Sequence, residues 1–194
     1  EQLFSLNIGT VRIKELFFDT NDIPGAIAYI DDALKQLPEF NATTLIGIGG
    51  TFRALTRALM KKEEYPLKKL HAYTTDTGTF FRFTDQIQDA SPKKLRSLFI
   101  KPDRFDTIKP GTLILERIIR YTRIKTLMCS GVGVREGVFL NDLLRNAGDT
   151  FPANYNPSVR YLLDTYGLHS NHAQQCAHLS KRLFELLHVP LGIS

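Results

Sequence analysis

The stretch Thr43-Thr44-Leu45-Ile46-Gly47-Ile48-Gly49-Gly50-Thr51-Phe52 decides the reading of this chain. Its first half, Thr43–Ile48, is a short β-branched and aliphatic run of the kind that forms a strand buried between layers. Its second half breaks into glycines and re-enters helical spacing, with Phe52, Leu55 and Leu59 on one side. A strand that turns through glycine into a helix leaves the first helical amides free and lets a ligand approach the backbone. Those amides, at the positive end of the helix, suit an anion. Gly49, Gly50 and Thr51 are therefore candidate phosphate-binding residues. The pattern is not a Walker loop, because no Lys precedes the Thr. It is not the dinucleotide fingerprint either, because Phe52 stands where the third glycine belongs. A tight turn with no ligand is the plain alternative.

The same grammar recurs further on. Thr126–Ser130 reads as a second buried strand, broken at Ser130-Gly131-Val132-Gly133-Val134-Arg135-Glu136-Gly137 before a helix Arg135–Arg145. Two such junctions in one α/β layer are what a phosphate cleft between lobes needs. Gly131, Gly133 and Arg135 join the candidates, the last as a bidentate phosphate donor.

Outward from these junctions, Leu3–Ile8 alternates apolar and polar residues and reads as a strand ended by Gly9. Thr10–Phe18 follows as a short helix. Asp22 as cap and Pro24 in the first turn open an amphipathic helix Pro24–Leu37, which Pro38 stops. Residues 61–76 read as a polar connection. Asp76-Thr77-Gly78-Thr79 mimics the aspartic-protease triplet and the phosphate turn of sugar kinases. The polar run His71–Thr75 leading into it makes a helix cap the better reading. Thr79–Asp89, Ser91–Phe99 and, after Pro110-Gly111, Thr112–Thr122 read as helices. Gly148 to Pro157 is a turn-rich boundary, with helices Ser158–Tyr166 and Ser170–Leu187 beyond it. The pattern predicts an α/β domain over residues 1–150 and the start of an α-helical domain over residues 151–194.

The net charge is +5, concentrated between Lys93 and Lys125, where ten basic residues face Asp103, Asp106 and Glu116. Such a stretch suggests a polyanionic partner, with solvated helix faces as the bland alternative. No basic motif interleaved with aromatics is present, so nucleic acid is not the expected partner. No apolar run approaches the roughly 18 residues of a membrane span, and no signal peptide is visible, so no membrane partner is expected. Cys129 and Cys176 lack CxxC spacing, which fits inert buried thiols in a reducing, cytoplasmic setting. Among five scattered histidines, His169 and His172 are three apart without further ligands, so no metal site is read from spacing.

Taken in order, these pieces resemble the exopolyphosphatase/guanosine pentaphosphatase (Ppx/GppA) family. The resemblance rests on Ser5-Leu6-Asn7-Ile8-Gly9-Thr10-Val11-Arg12, on Gly47–Thr51, on Arg104-Phe105-Asp106-Thr107-Ile108-Lys109-Pro110-Gly111 and on Ser130–Gly137. The tail Ser158–Leu187 is similar to the helices that follow in long members. The resemblance implies an actin/sugar-kinase-like (ribonuclease H-like) lobe and an enzyme whose two lobes close on Mg²⁺ and a phosphate chain. Members remove terminal phosphate from inorganic polyphosphate or the 5′ phosphate from guanosine pentaphosphate, with a Glu as general base. It also implies that Gly49, Gly50 and Thr51 cradle phosphate, that Arg104 pairs with a substrate phosphate, and that Arg135 orients the cleft wall.

The family's Asp-x-Gly phosphate loops fall upstream of Glu1, so the chain is expected to be a C-terminal fragment without the catalytic half, and inactive alone. Its first strand would then present an open edge, through which copies associate as a homodimer or another segment pairs. A non-catalytic polyanion- or nucleotide-binding lobe, and a fragment of a sugar-kinase-like transferase, are the competing readings.

Overall fold

In the computed structural model, which describes residues 2–148, 150, 157–167 and 170–191, Thr44–Gly47 (β1) pairs in parallel with Thr126–Cys129 (β3). Gly47 lies opposite Cys129. Thr74–Asp76 (β2) runs antiparallel along the other side of β3, giving the order β1-β3-β2. The polar connection over residues 61–76 thus ends in a strand the side chains did not advertise. Its Thr74 and Asp76 are exposed, so burial left no apolar signature. β1 is only half buried: Ile46 is 59% exposed, and Ile48 just past the strand 62%, against the expectation of burial on both faces.

The chain divides into two compact units, Glu1–Phe139 and Leu140–Ser194. In the first, the helices are Thr10–Ile13 (α1, prolonged by a π-helical turn Lys14–Phe18), Ile23–Leu34 (α2), Gly50–Lys62 (α3), Thr77–Gln88 (α4), Pro92–Ser97 (α5) and Phe105–Thr122 (α6). Asp22 caps α2 by accepting from the Gly25 amide at 2.9 Å, with Pro24 in the first turn as read. Asp76 caps α4 through the Thr79 amide and hydroxyl at 2.8 and 2.7 Å, which hold its carboxyl below the usual range. The triplet Asp76-Thr77-Gly78 is therefore a cap, as the polar approach to it implied.

Two hydrophobic clusters make the core. One gathers Phe52, Leu55, Phe80, Phe83, Ile87 and Leu127 between α3, α4 and the sheet. The other gathers Ile13, Ala26, Ile30 and Leu34 between α1 and α2. Helix α6 belongs to both, through Ile108 and Ile119 on one side and Leu113 and Ile114 on the other. Its start at Phe105 corrects the expected start at Thr112, since Pro110-Gly111 lies inside the helix. A proline there removes one helical hydrogen bond and costs about 3 kcal/mol. Burial of the apolar residues flanking it on both clusters offsets that cost. Arg117 of α6 also grips Asp31 of α2 through two 2.6 Å bonds.

Leu3–Ile8 enters no sheet, which corrects the expected first strand. Alternation gives an extended segment a face, but a ladder needs a neighbouring backbone, and none of the described strands lies beside it. Leu6 and Ile8 turn into the second cluster while Leu3 is 92% exposed.

Glu116 is buried on α6, and its Oε1 has no hydrogen-bond partner. Burial raises its pKa above the ordinary carboxyl value. A raised folded-state pKa gives stability that is full below the unfolded value near 4.5 and is lost as pH climbs through the folded one. Glu116→Gln should therefore gain stability over wild type progressively as pH rises from about 4.5 toward neutrality. Urea midpoints across that range check this; a difference that does not change with pH contradicts it. The carboxyls held low, Asp76 and Glu136, titrate below this window.

Helix Val134–Leu144 (α7) follows β3, and its Val138 and Phe139 are exposed. The second unit holds Pro157–Tyr166 (α8) and Ser170–Leu191 (α9). Along α9 the residues at helical spacing, Ala173, Cys176, Ser180, Leu183 and Leu187, are uncovered: all but the half-buried Ala173 are exposed. Cys129 is buried and burial raises its thiol pKa, so it fits the inert reading. Cys176 does not, and lies 3.5 Å from His172 Nε2. His169 lies outside the described residues, as does most of the expected boundary between Gly148 and Pro157.

Candidate phosphate-binding site

Both glycine junctions leave the sheet at the same end, because β1 and β3 are adjacent and parallel. The Ser130 amide donates to the Gly47 carbonyl at 2.9 Å, extending the ladder one step into the second turn. The sequence-read candidates on the two junctions are therefore neighbours, as a shared anion face requires.

At the first junction Gly49 is the residue before α3, with φ 122° and ψ 171°. This is backbone space that only glycine occupies without strain. No side chain caps α3, whereas α2, α4 and α5 are each capped by Asp22, Asp76 and Ser91. The first-turn amides of a 13-residue helix are thus left for an outside acceptor. Arg104 lies beside the first residue of this turn. A Cβ on Gly50 would lie 2.9 Å from Arg104 Nη1, so the guanidinium rests against the Gly50 backbone. The arginine is 43% exposed and its Nε is 3.7 Å from Asp103 Oδ2. Thr51 is half buried and meets α6, where a Cβ on Gly111 would lie 2.5 Å from Thr51 Cγ2 and 2.9 Å from Thr10 Cγ2. Gly111 therefore sets how closely the starts of α1 and α3 approach α6.

The second junction is tied up within the chain. The Gly131 amide donates to His71 Nδ1 at 3.2 Å, and the Gly133 amide donates to Glu136 Oε2 at 2.8 Å. The latter is half of a capping box, and it holds the Glu136 carboxyl below its usual range. Gly131 and Gly133 thus shape the face while their own donors are occupied. Arg135, in the first turn of α7, is exposed.

Sequence reasoning passed over Arg53 and Gly111. Arg53 Nε donates to the Ser130 carbonyl at 3.0 Å, joining the two junctions. The available signal was its place one turn into a helix that starts on glycines.

Among the described residues no group of three or more His, Cys, Asp or Glu could hold a metal ion. The carboxylates of this face, Asp103 and Glu136, are engaged by Arg104 and by the Gly133 amide, so these residues do not fit a magnesium ion. No described helix is long and apolar enough to cross a membrane.

Residues 1–146 match the family model described as the Ppx/GppA phosphatase family. The chain is similar to a bifunctional 3-dehydroquinate synthase/phosphatase of Fusobacterium nucleatum subsp. nucleatum, 31% identical in an alignment 132 residues long that covers 62% of this chain and 20% of that protein. It is similar in fold to the Aquifex aeolicus PPX-GPPA enzyme (22% identity, TM-score 0.62, 72% of this chain and 48% of that one). A second structure of an Aquifex aeolicus family member gives 23% identity and TM-score 0.63, covering 80% and 51%. The chain spans about half the length of these solved structures and a fifth of the curated relative.

Proposed function

The chain belongs to the Ppx/GppA phosphatase family, and from that membership we propose that it is the anion-binding lobe of a phosphoanhydride hydrolase. Its substrates in this reading are inorganic polyphosphate or guanosine pentaphosphate, in the cytoplasm, within an actin-like two-lobed enzyme. The observation that carries the proposal is Arg104 resting on the uncapped first turn of α3. A terminal phosphate there would take the Gly50 and Thr51 amides on one side and the guanidinium on the other. Such donors, fixed before the ligand arrives, neutralise oxygens that gain charge when a phosphoanhydride bond breaks.

The carboxylates beside the two turns, Asp103 and Glu136, face Arg104 and the Gly133 amide, which favours binding without turnover by the chain alone. Magnesium is proposed for the whole protein only. Activation of the attacking water is likewise assigned to the remainder of the protein.

The test is titration of the purified chain with tripolyphosphate by calorimetry. Wild type should bind, and Arg104→Ala should weaken binding about tenfold, the worth of one charge-assisted pair. Phosphate release by the chain alone should stay at background. Equal affinity of the two proteins would remove Arg104 from the site. Steady turnover by the 194-residue chain would overturn the division of labour.

A further inference from the structure

We propose that Arg53 is the positioning residue that locks the second glycine turn beside the start of α3, so that the two junctions bind a phosphate chain as one face. The inference rests on the anion-binding reading and adds to it a residue and a coupling. Arg53 sits one turn into α3, where its own amide donates to the Gly49 carbonyl at 3.1 Å. Its backbone is thus fixed by the first junction. Its side chain is fixed by the second, through the 3.0 Å bond from Nε to the Ser130 carbonyl.

Ser130 is only 7% exposed, and its carbonyl has one other contact, the weak Cys129 thiol donor at 3.8 Å. Losing Arg53 would leave a nearly buried acceptor without a strong donor, which is costlier than losing a surface bond. The outer end of the same guanidinium reaches the turn itself. A Cβ on Gly133 would lie 3.4 Å from one Arg53 Nη and 3.5 Å from Glu136 Oε2. The turn is therefore held between a cation from α3 and the carboxylate that caps α7. With Nε spent on Ser130, the Nη donors make no hydrogen bond among the described residues.

The geometry demands a guanidinium. One nitrogen must serve the carbonyl while the fork extends past it, and a lysine ammonium offers a single point of attachment. Charge alone predicts that Arg53→Lys behaves as wild type, whereas a clamp predicts that it behaves as Arg53→Ala.

The experiment measures amide hydrogen exchange across residues 130–137 and tripolyphosphate affinity in wild type, Arg53→Ala, Arg53→Lys and Arg104→Ala. Both Arg53 variants should speed exchange of this turn about tenfold and weaken binding about fivefold. Arg104→Ala should weaken binding and leave exchange unchanged. Unchanged exchange in Arg53→Lys overturns the clamp. Faster exchange with unchanged affinity overturns the coupling. Should wild type bind no tripolyphosphate, the anion reading falls and exchange alone decides whether Arg53 holds the turn.

Discussion

Gly111→Val should cost the first unit about 2 kcal/mol and at the same time weaken anion binding about tenfold. The added Cβ would stand 2.5 Å from Thr51 Cγ2 and 2.9 Å from Thr10 Cγ2 and Thr51 Oγ1. Threonine γ atoms hang from a branched Cβ only two bonds from the backbone and have little freedom to move aside, so relief requires moving the helix starts themselves. Replacing a helical glycine recovers some backbone entropy, less than about 1 kcal/mol. Overpacking a well-filled contact costs about 1–3 kcal/mol, and valine adds two methyl groups beyond the offending Cβ. Overpacking wins. Since Thr51 opens the helix whose amides would hold the phosphate, displacement of α6 shifts the donors as well. Urea unfolding and tripolyphosphate titration check the two halves; stability within about 0.5 kcal/mol of wild type with full affinity would sink the close-approach argument.

Gly49→Ala should reduce tripolyphosphate binding at least tenfold with little loss of helix content. No atom lies within 4 Å of the position its Cβ would take, so clash plays no part. What changes is the backbone, since φ 122° with ψ 171° is costly for any residue with a side chain, by about 1–3 kcal/mol. The chain can bear that strain, or it can relax by rotating the peptide that leads into Gly50. Rotation moves the amides off the line on which Arg104 approaches. Circular dichroism would show the helix retained and calorimetry the lost affinity. A variant with wild-type stability and wild-type binding would mean that the Gly49 conformation serves neither.

The segments read correctly were those whose cause is local. Asp22 with Pro24, and Ser91 with Pro92, announce helix starts because caps act within three residues. The strand-to-helix turn at Gly47–Thr51 could be read because glycine's backbone freedom is a property of the residue itself. The misreadings came where a distant partner decides. Leu3–Ile8 has the alternation of a strand but no ladder to join among the described residues. Pro110 looked like a boundary because its cost is local, while the burial that outweighs it comes from two clusters on either side of α6. The candidate site divides the same way. Gly49, Gly50 and Thr51 were visible as a motif, and Arg104 through the family resemblance. Arg53 acquires its role only by meeting Ser130, 77 residues away.

That distance bears on how the molecule assembles. The bonds that fix the site and the α2–α6 contact close loops of 77 and 86 residues. Bringing such remote points together carries an entropic cost that contacts inside a single helix avoid, and folding rates fall as the mean separation of contacting residues grows. Helices α2, α4 and α5, each closed by its own side-chain cap, can form early. The parallel pairing of β1 with β3 cannot, because the whole stretch between them must first be gathered in. The two glycine turns become neighbours only in that late step, so the anion face is among the last features of the fold to exist. A nascent or partly unfolded chain would carry every residue of the site and still present no place for a phosphate to bind.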